Sequence, residues 1–273
     1  AEARRAGFRY FLVHVVGGLF LLAGIIFYVN KTGSLAFDYI GLEDPASWFI
    51  FIGIGLNAAA IPLHAWLPDA YPEATVTGAV FMSAFTTKTA VYVLLRHFSG
   101  YEILAFAGTA MAVYGVFYAC IENNARRILS YHIVSQVGYM VAGIGIGTHL
   151  TLNGACAHAY AHILYKGLLF MGAGSLLYVA GTAKLNELGG LAARIPLIMI
   201  GYMIGAVSIS GVPFFNGFVS KTLTIAGAFE DHRVMLGILL ELAAVGTFLS
   251  VGVKLPYFAF FRGKEESKRE LKK

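Results

Sequence analysis

The chain has 273 residues, of which 58% are hydrophobic and only 13% charged. A soluble domain carries about 25% charged residues, so this chain has too little polar surface to clothe a globule in water. Its net charge of +5 is not a nucleic-acid signal, because the basic residues gather at the ends of apolar stretches and in the C-terminal tail, where membrane orientation places them.

About 20 apolar residues are needed for a helix to cross the hydrocarbon core. Eight stretches qualify, over 8–29, 47–68, 76–97, 102–122, 127–147, 151–180, 195–228 and 234–261. The expected fold class is therefore an all-α polytopic membrane protein of about eight transmembrane helices. It forms one transmembrane domain over 1–261, followed by a basic tail over 262–273. An even number of crossings puts both termini on one side, with loops 69–75, 122–127 and 181–194. That side collects Arg4, Arg5, Arg9, Arg126, Arg127, Lys184, Arg194 and the basic tail, while the other holds Lys31, Arg96 and Arg233. The positive-inside rule makes the richer side cytoplasmic, as in a multi-pass protein of the cell (plasma or inner) membrane. The chain starts on Ala1 and leads straight into a span, as a portion of a longer protein would. Cys120 and Cys156 lie in apolar stretches without metal or disulfide spacing and read as small core residues.

In the first span His14 stands alone and reads as structural. The second contains Pro62 and ends at Pro68-Asp69. Proline removes a backbone donor and clashes with the preceding turn, so the helix should break there. Asp69 and Glu73 would then lie just beyond it, in a loop or cap. The third span carries Lys88. On the fifth, His132 and Gln136 are i, i+4, near Ser130, Ser135 and Tyr139; relay and helix-packing roles suit them equally. The sixth sets His158, His162 and Lys166 at i, i+4 and i+8, one face and one turn apart. Histidine titrates near neutral pH and a desolvated lysine shifts toward it, so such a column is able to pass protons. The seventh should break at Pro213 and Gly217, with Lys221 just past the break. In the eighth, Glu241 is a deep carboxylate that would pair with a lysine or mark a later start of the span, and Lys254 is placed to snorkel. Charges inside spans are functional candidates by default. Two interrupted spans five apart are the pattern of inverted repeats in transporters.

Three stretches then resemble a known family. They are Pro62-Leu63-His64-Ala65-Trp66-Leu67-Pro68-Asp69-Ala70 with Lys88-Thr89-Ala90, then Arg127-Ile128-Leu129-Ser130-Tyr131-His132 through Tyr139, then His158 to Lys166 with Gly217-Phe218-Val219-Ser220-Lys221. The chain resembles the antiporter-like subunits of respiratory complex I, membrane-bound hydrogenases and multisubunit Na+/H+ antiporters, with the D-type component of the antiporters most alike. The resemblance implies two inverted five-helix repeats, each with one discontinuous helix. Residues 1–97 would end the first repeat and 98–261 form the second. It also implies a mid-membrane relay through Lys88, His158, His162, Lys166 and Lys221. Asn57 occupies the place where the family carries a lysine five residues before the first broken helix's proline, and the carboxylate partner of that lysine would lie upstream of this chain.

The function expected is translocation of protons, or exchange of protons for sodium, within a complex of membrane subunits. The alternative is a structural subunit that no longer conducts. No nucleotide-binding glycine loop, catalytic triad or metal-ligand cluster is evident, so no cofactor and no redox site are expected. Any quinone or NADH chemistry would belong to other subunits. A haem would need histidines from different spans, such as His14 and His132.

Overall fold

Hydrocarbon offers no hydrogen bonds, so apolar stretches at membrane depth must satisfy their own backbone by winding into helices. The computed structural model describes residues 2–263, and most of the basic tail lies outside them. Its α-helices are α1 (Glu2–Thr32), α2 (Pro45–Asn57), α3 (Trp66–Glu73), α4 (Val76–His97), α5 (Glu102–Ile121), α6 (Ala125–Ile146), α7 (His149–Ala180), α8 (Pro196–Ser210), α9 (Asn216–Glu230) and α10 (Val234–Thr247). The last runs on through π-helical stretches at Phe248–Lys254 and Tyr257–Phe261. No strand occurs among the described residues.

α1, α4, α5, α7 and the continuous Val234–Phe261 segment are each long and apolar enough to cross a membrane. α6 has 22 residues, which is spanning length. The pairs α2/α3 and α8/α9 supply two broken crossings, so the described residues make the expected eight. Successive crossings alternate in direction, so α1 starts and α10 ends at one face, called here the terminal face. Capping residues mark the turns. Asn124 Oδ1 accepts from the Arg126 and Arg127 amides at 3.0 and 3.2 Å to start α6. Gly147 and Gly181, at φ +77° and +69°, end α6 and α7 in the left-handed region that glycine adopts without steric cost.

α6 is the centre of the bundle, with nearly every side chain buried, and it is apolar around most of its circumference, as a central helix must be. Close backbone approach builds this centre. A Cβ at Gly108 of α5 would meet the Ala142 amide nitrogen of α6 at 2.2 Å, and one at Gly138 of α6 would meet the Ala112 nitrogen of α5 at 2.5 Å. Lipid tails are as apolar as leucine, so van der Waals contact between such small residues drives helix association. α1, by contrast, turns Phe8, Phe11, Leu19, Leu22 and Ile26 outward.

Several expectations are corrected. α2 ends at Asn57, five residues before Pro62, and its broken continuation α3 takes in Asp69 and Glu73 instead of leaving them in a loop. Asp69 pairs with Arg9 of α1 at 3.0 Å. α9 extends to Glu230, and Gly217 lies inside its first turn, not in the break. Cys156 faces outward and is exposed. Arg126 is no loop charge: it is buried, and its guanidinium donates to Pro72 O and Ala74 O at 2.7 Å, Tyr71 O at 3.2 Å and Thr75 O at 3.4 Å. The Tyr71, Pro72 and Ala74 carbonyls lie at the C-terminal end of α3, where a cation is favoured, and Thr75 begins the next helix.

On the opposite face, Asp44 caps α2 by accepting from the Ala46 amide at 2.6 Å, and it binds Lys31 Nζ at 3.1 Å. The Lys31 ammonium, with the cap amides, holds the Asp44 carboxyl below its ordinary value. A carboxylate depressed on folding contributes stability above its unfolded value, about pH 4, and loses it as pH falls through the folded one. Asp44→Asn keeps a capping oxygen but loses the charge facing Lys31, so it is expected to melt slightly earlier than wild type at neutral pH, by about 0.2–1 kcal/mol. The gap should close on acidification. A gap that stays constant to low pH would show that Asp44 is not held this way.

Candidate functional site

The site begins with the two breaks, because each leaves helix-end carbonyls and amides without the next turn of helix to bond them. At the first, Trp66 Nε1 donates to Leu56 O at 3.1 Å, and Ala59 takes a left-handed φ of 56°. At the second, Gly211 ends α8 at φ +77°, and the Ser208 hydroxyl donates across the gap to Asn216 Oδ1. Lys221 then reaches back from α9, and its Nζ donates to Ile209 O at 2.6 Å, placing a cation on the C-terminal end of α8. A Cβ at Gly217 would stand 1.9 Å from Ser208 O, so only glycine lets α9 pass this close.

Lys88 projects from α4 into the same interior and is buried; its Nζ donates to Ser83 O at 2.7 Å and Thr87 Oγ1 at 3.1 Å. α7 supplies the rest. His158, His162 and Lys166 are fully buried, as a single helical face turned inward requires. His158 Nδ1 lies 2.8 Å from Ser220 Oγ on α9, and the rings of His158 and His162 are 6.4 Å apart. His162 is within electrostatic range of Lys88, His158, Lys166 and Lys221. Neither nitrogen of His162 nor Lys166 Nζ has a hydrogen-bonding partner among the described residues. Two aromatic faces soften the cations: Lys166 Nζ stands 5.8 Å from the Phe170 ring and Lys221 Nζ 5.2 Å from that of Tyr139. All five central candidates therefore converge on one interior region.

The auxiliary candidates divide. His132 Nε2 sits 2.7 Å from Ser250 Oγ, and Gln136 Nε2 3.5 Å from Thr247 Oγ1, which ties α6 to α10. Lys254 is bound to Cys120 O at 2.7 Å and Glu122 O at 2.6 Å, where it caps the end of α5. Asn57, at the last turn of α2, is half-buried and its side chain makes no hydrogen bond among the described residues. Glu241 is exposed on the outer side of α10 and has no ion pair among the described residues. The expected pairing of Glu241 with a lysine is absent among the described residues.

One contributor escaped the sequence reading. Tyr165 is buried, with its hydroxyl 3.4 Å from His158 Nε2 and 3.5 Å from Gln136 Oε1. The available signal was spacing, since Tyr165 stands i+7 from His158, two turns along the same face.

With this geometry in view, the family is decided by the family model described as NADH:quinone oxidoreductase/Mrp antiporter, TM, which matches residues 1–250. The chain belongs to this family. It is 28% identical to the D-type component of a Na(+)/H(+) antiporter of Alkalihalophilus pseudofirmus, over 97% of this chain and 58% of that protein. It is 32% identical to the N-type component of an NADH-quinone oxidoreductase of Desulforudis audaxviator, over 82% of this chain and 49% of that protein. Among solved structures, a chain of the Mrp complex from a Dietzia species superposes with a TM-score of 0.89 at 27% identity, covering 95% of this chain and 51% of that one. The chain thus spans about half the length of the relatives it matches.

Gly217→Ala is expected to push α9 off the end of α8 and lower stability by about 1–3 kcal/mol, read as earlier thermal unfolding in detergent. Unchanged melting would show that the break tolerates a wider gap.

Proposed function

We propose that this chain is the part of a membrane subunit that moves protons, or exchanges protons for sodium, across the bilayer. Its relay would run through Lys88, His158, His162, Lys166 and Lys221. The observation that carries the reading is the pair His162 and Lys166, buried without hydrogen-bonding partners among the described residues and beside further buried cations. A buried polar group left unbonded costs about 1–3 kcal/mol, and more when charged. Internal water and a mobile proton relieve that cost, which supports a relay at this pair. Breaks at mid-membrane are tolerated only where they are buried in protein or line a wet cavity, which supports the same reading.

Residues 1–97 would close a first inverted repeat and 98–261 form a second. The terminal face would be cytoplasmic and the membrane the plasma membrane. The partners would be other membrane subunits of an antiporter or respiratory complex, which supports the placement of any redox chemistry outside this chain. A second reading is favoured by Lys88 and Lys221, whose ammonium groups are hydrogen-bonded to helix carbonyls, and by Asn57 in place of a lysine. In that reading the cations brace a non-conducting scaffold.

Flux measurements on the intact complex in liposomes separate the two. Lys166→Ala and Lys221→Ala should each cut proton flux by about 100-fold or more. Flux at the wild-type level in the Lys166→Ala and Lys221→Ala double variant would overturn the relay and leave the scaffold reading.

A further inference from the structure

The relay from Lys88 to Lys221 leaves a second polar row unused. It starts at Tyr165, whose hydroxyl lies between His158 Nε2 at 3.4 Å and Gln136 Oε1 at 3.5 Å. Both distances are long for an O–H donor, which settles near 2.7–2.8 Å. The hydroxyl therefore commits fully to neither neighbour, and rotation about its C–O bond turns it from one to the other. A phenol both donates and accepts, which suits it to this position.

Beyond Gln136 the row crosses to α10. Gln136 Nε2 faces Thr247 Oγ1 at 3.5 Å. One turn back along α6, His132 bonds Ser250 Oγ through Nε2 at 2.7 Å, while its Nδ1 is buried with no partner among the described residues. Ser250 belongs to the π-helical stretch Phe248–Lys254. Such departures from α-helix cluster at functional positions. Four residues further on, Lys254 reaches the carbonyls of Cys120 and Glu122 at the terminal face. The row thus leads from the middle of α7 toward that face along the seam of α6 and α10.

We propose that the Tyr165 hydroxyl is the bridge that carries a proton from His158 to this seam, with His132 as the accepting base. The proposal rests on the relay reading above. His158 gives its Nε2 proton to the phenol oxygen as the phenol's own proton leaves on the side of Gln136, which fixes that direction by accepting the phenol's hydrogen bond. The proton then passes over water for one helical turn to His132 Nδ1. His158 ends one proton poorer and His132 one richer, with Tyr165 and Gln136 restored and no electrons moved. Ser250 orients the His132 ring through its other nitrogen.

Tyr165→Phe removes one oxygen and keeps the ring. In the intact complex in liposomes it should melt with wild type yet lose about tenfold or more of the proton flux. 3-Fluorotyrosine at position 165, which returns the hydroxyl, should restore the flux. If Tyr165→Phe does not fold, Gln136→Leu takes its place with the same expected loss. Wild-type flux in Tyr165→Phe, with flux abolished in Lys166→Ala, would overturn the bridge and leave the relay standing. Wild-type flux in both would overturn the relay and the bridge together. Failure of fluorotyrosine to restore flux would also overturn the bridge, because the hydroxyl would then not be the carrier.

Discussion

A helix interrupted inside hydrocarbon exposes carbonyls that nothing in the bilayer will bond, and this constraint organises the molecule. Each unsatisfied group costs several kcal/mol there. Cationic side chains at helix C-termini answer it. Lys221 does so at the break after α8, while Arg126 and Lys254 hold the ends of α3 and α5 at the terminal face. A hydrogen bond to a charged group contributes about 1.5–3 kcal/mol, with the helix dipole adding to it. The basic residues thus hold broken or abutting helix ends as well as orienting the chain in the membrane.

Those anchors fix where the polar interior forms. α7 is continuous over 32 residues and passes the break between α8 and α9, so its buried face sets His158 against Ser220 and brings Lys166 into range of Lys88 and Lys221. Close glycine contacts between α5 and α6 hold α6 and its His132 and Gln136 against the same region. Cations sharing a low-dielectric interior repel strongly. Such a cluster is most stable when some of its members are neutral, and the choice of which member is neutral is the variable that a transporter would cycle.

What the sequence made legible, and what it did not, follows from the reach of each signal. Span count and the two breaks were readable because bilayer thickness sets length and because proline removes a donor wherever it stands. The ends of the broken helices were not, since α2 stops at Asn57 and α8 at Ser210, before either proline. There the capping geometry and close backbone approach decide. The column on α7 was readable because helical spacing alone puts its members on one face. Tyr165 was not singled out, because its meaning depends on Gln136 of another helix. Arg126 looked like a loop charge, because only the folded chain brings the end of α3 onto it. Glu241 looked buried because its neighbours are apolar, yet apolar neighbours are also what an outward-facing surface carries in a membrane.

The central claim is that a hydrated polar line joins the two broken helices at mid-membrane. A cryo-electron microscopy map of the intact complex, sharp enough to show ordered water, tests it most directly. The account predicts water density touching His162 and Lys166 Nζ and continuing toward Lys88 and Lys221. Side chains packed dry around Lys166, with no water between it and either neighbouring lysine, would contradict it.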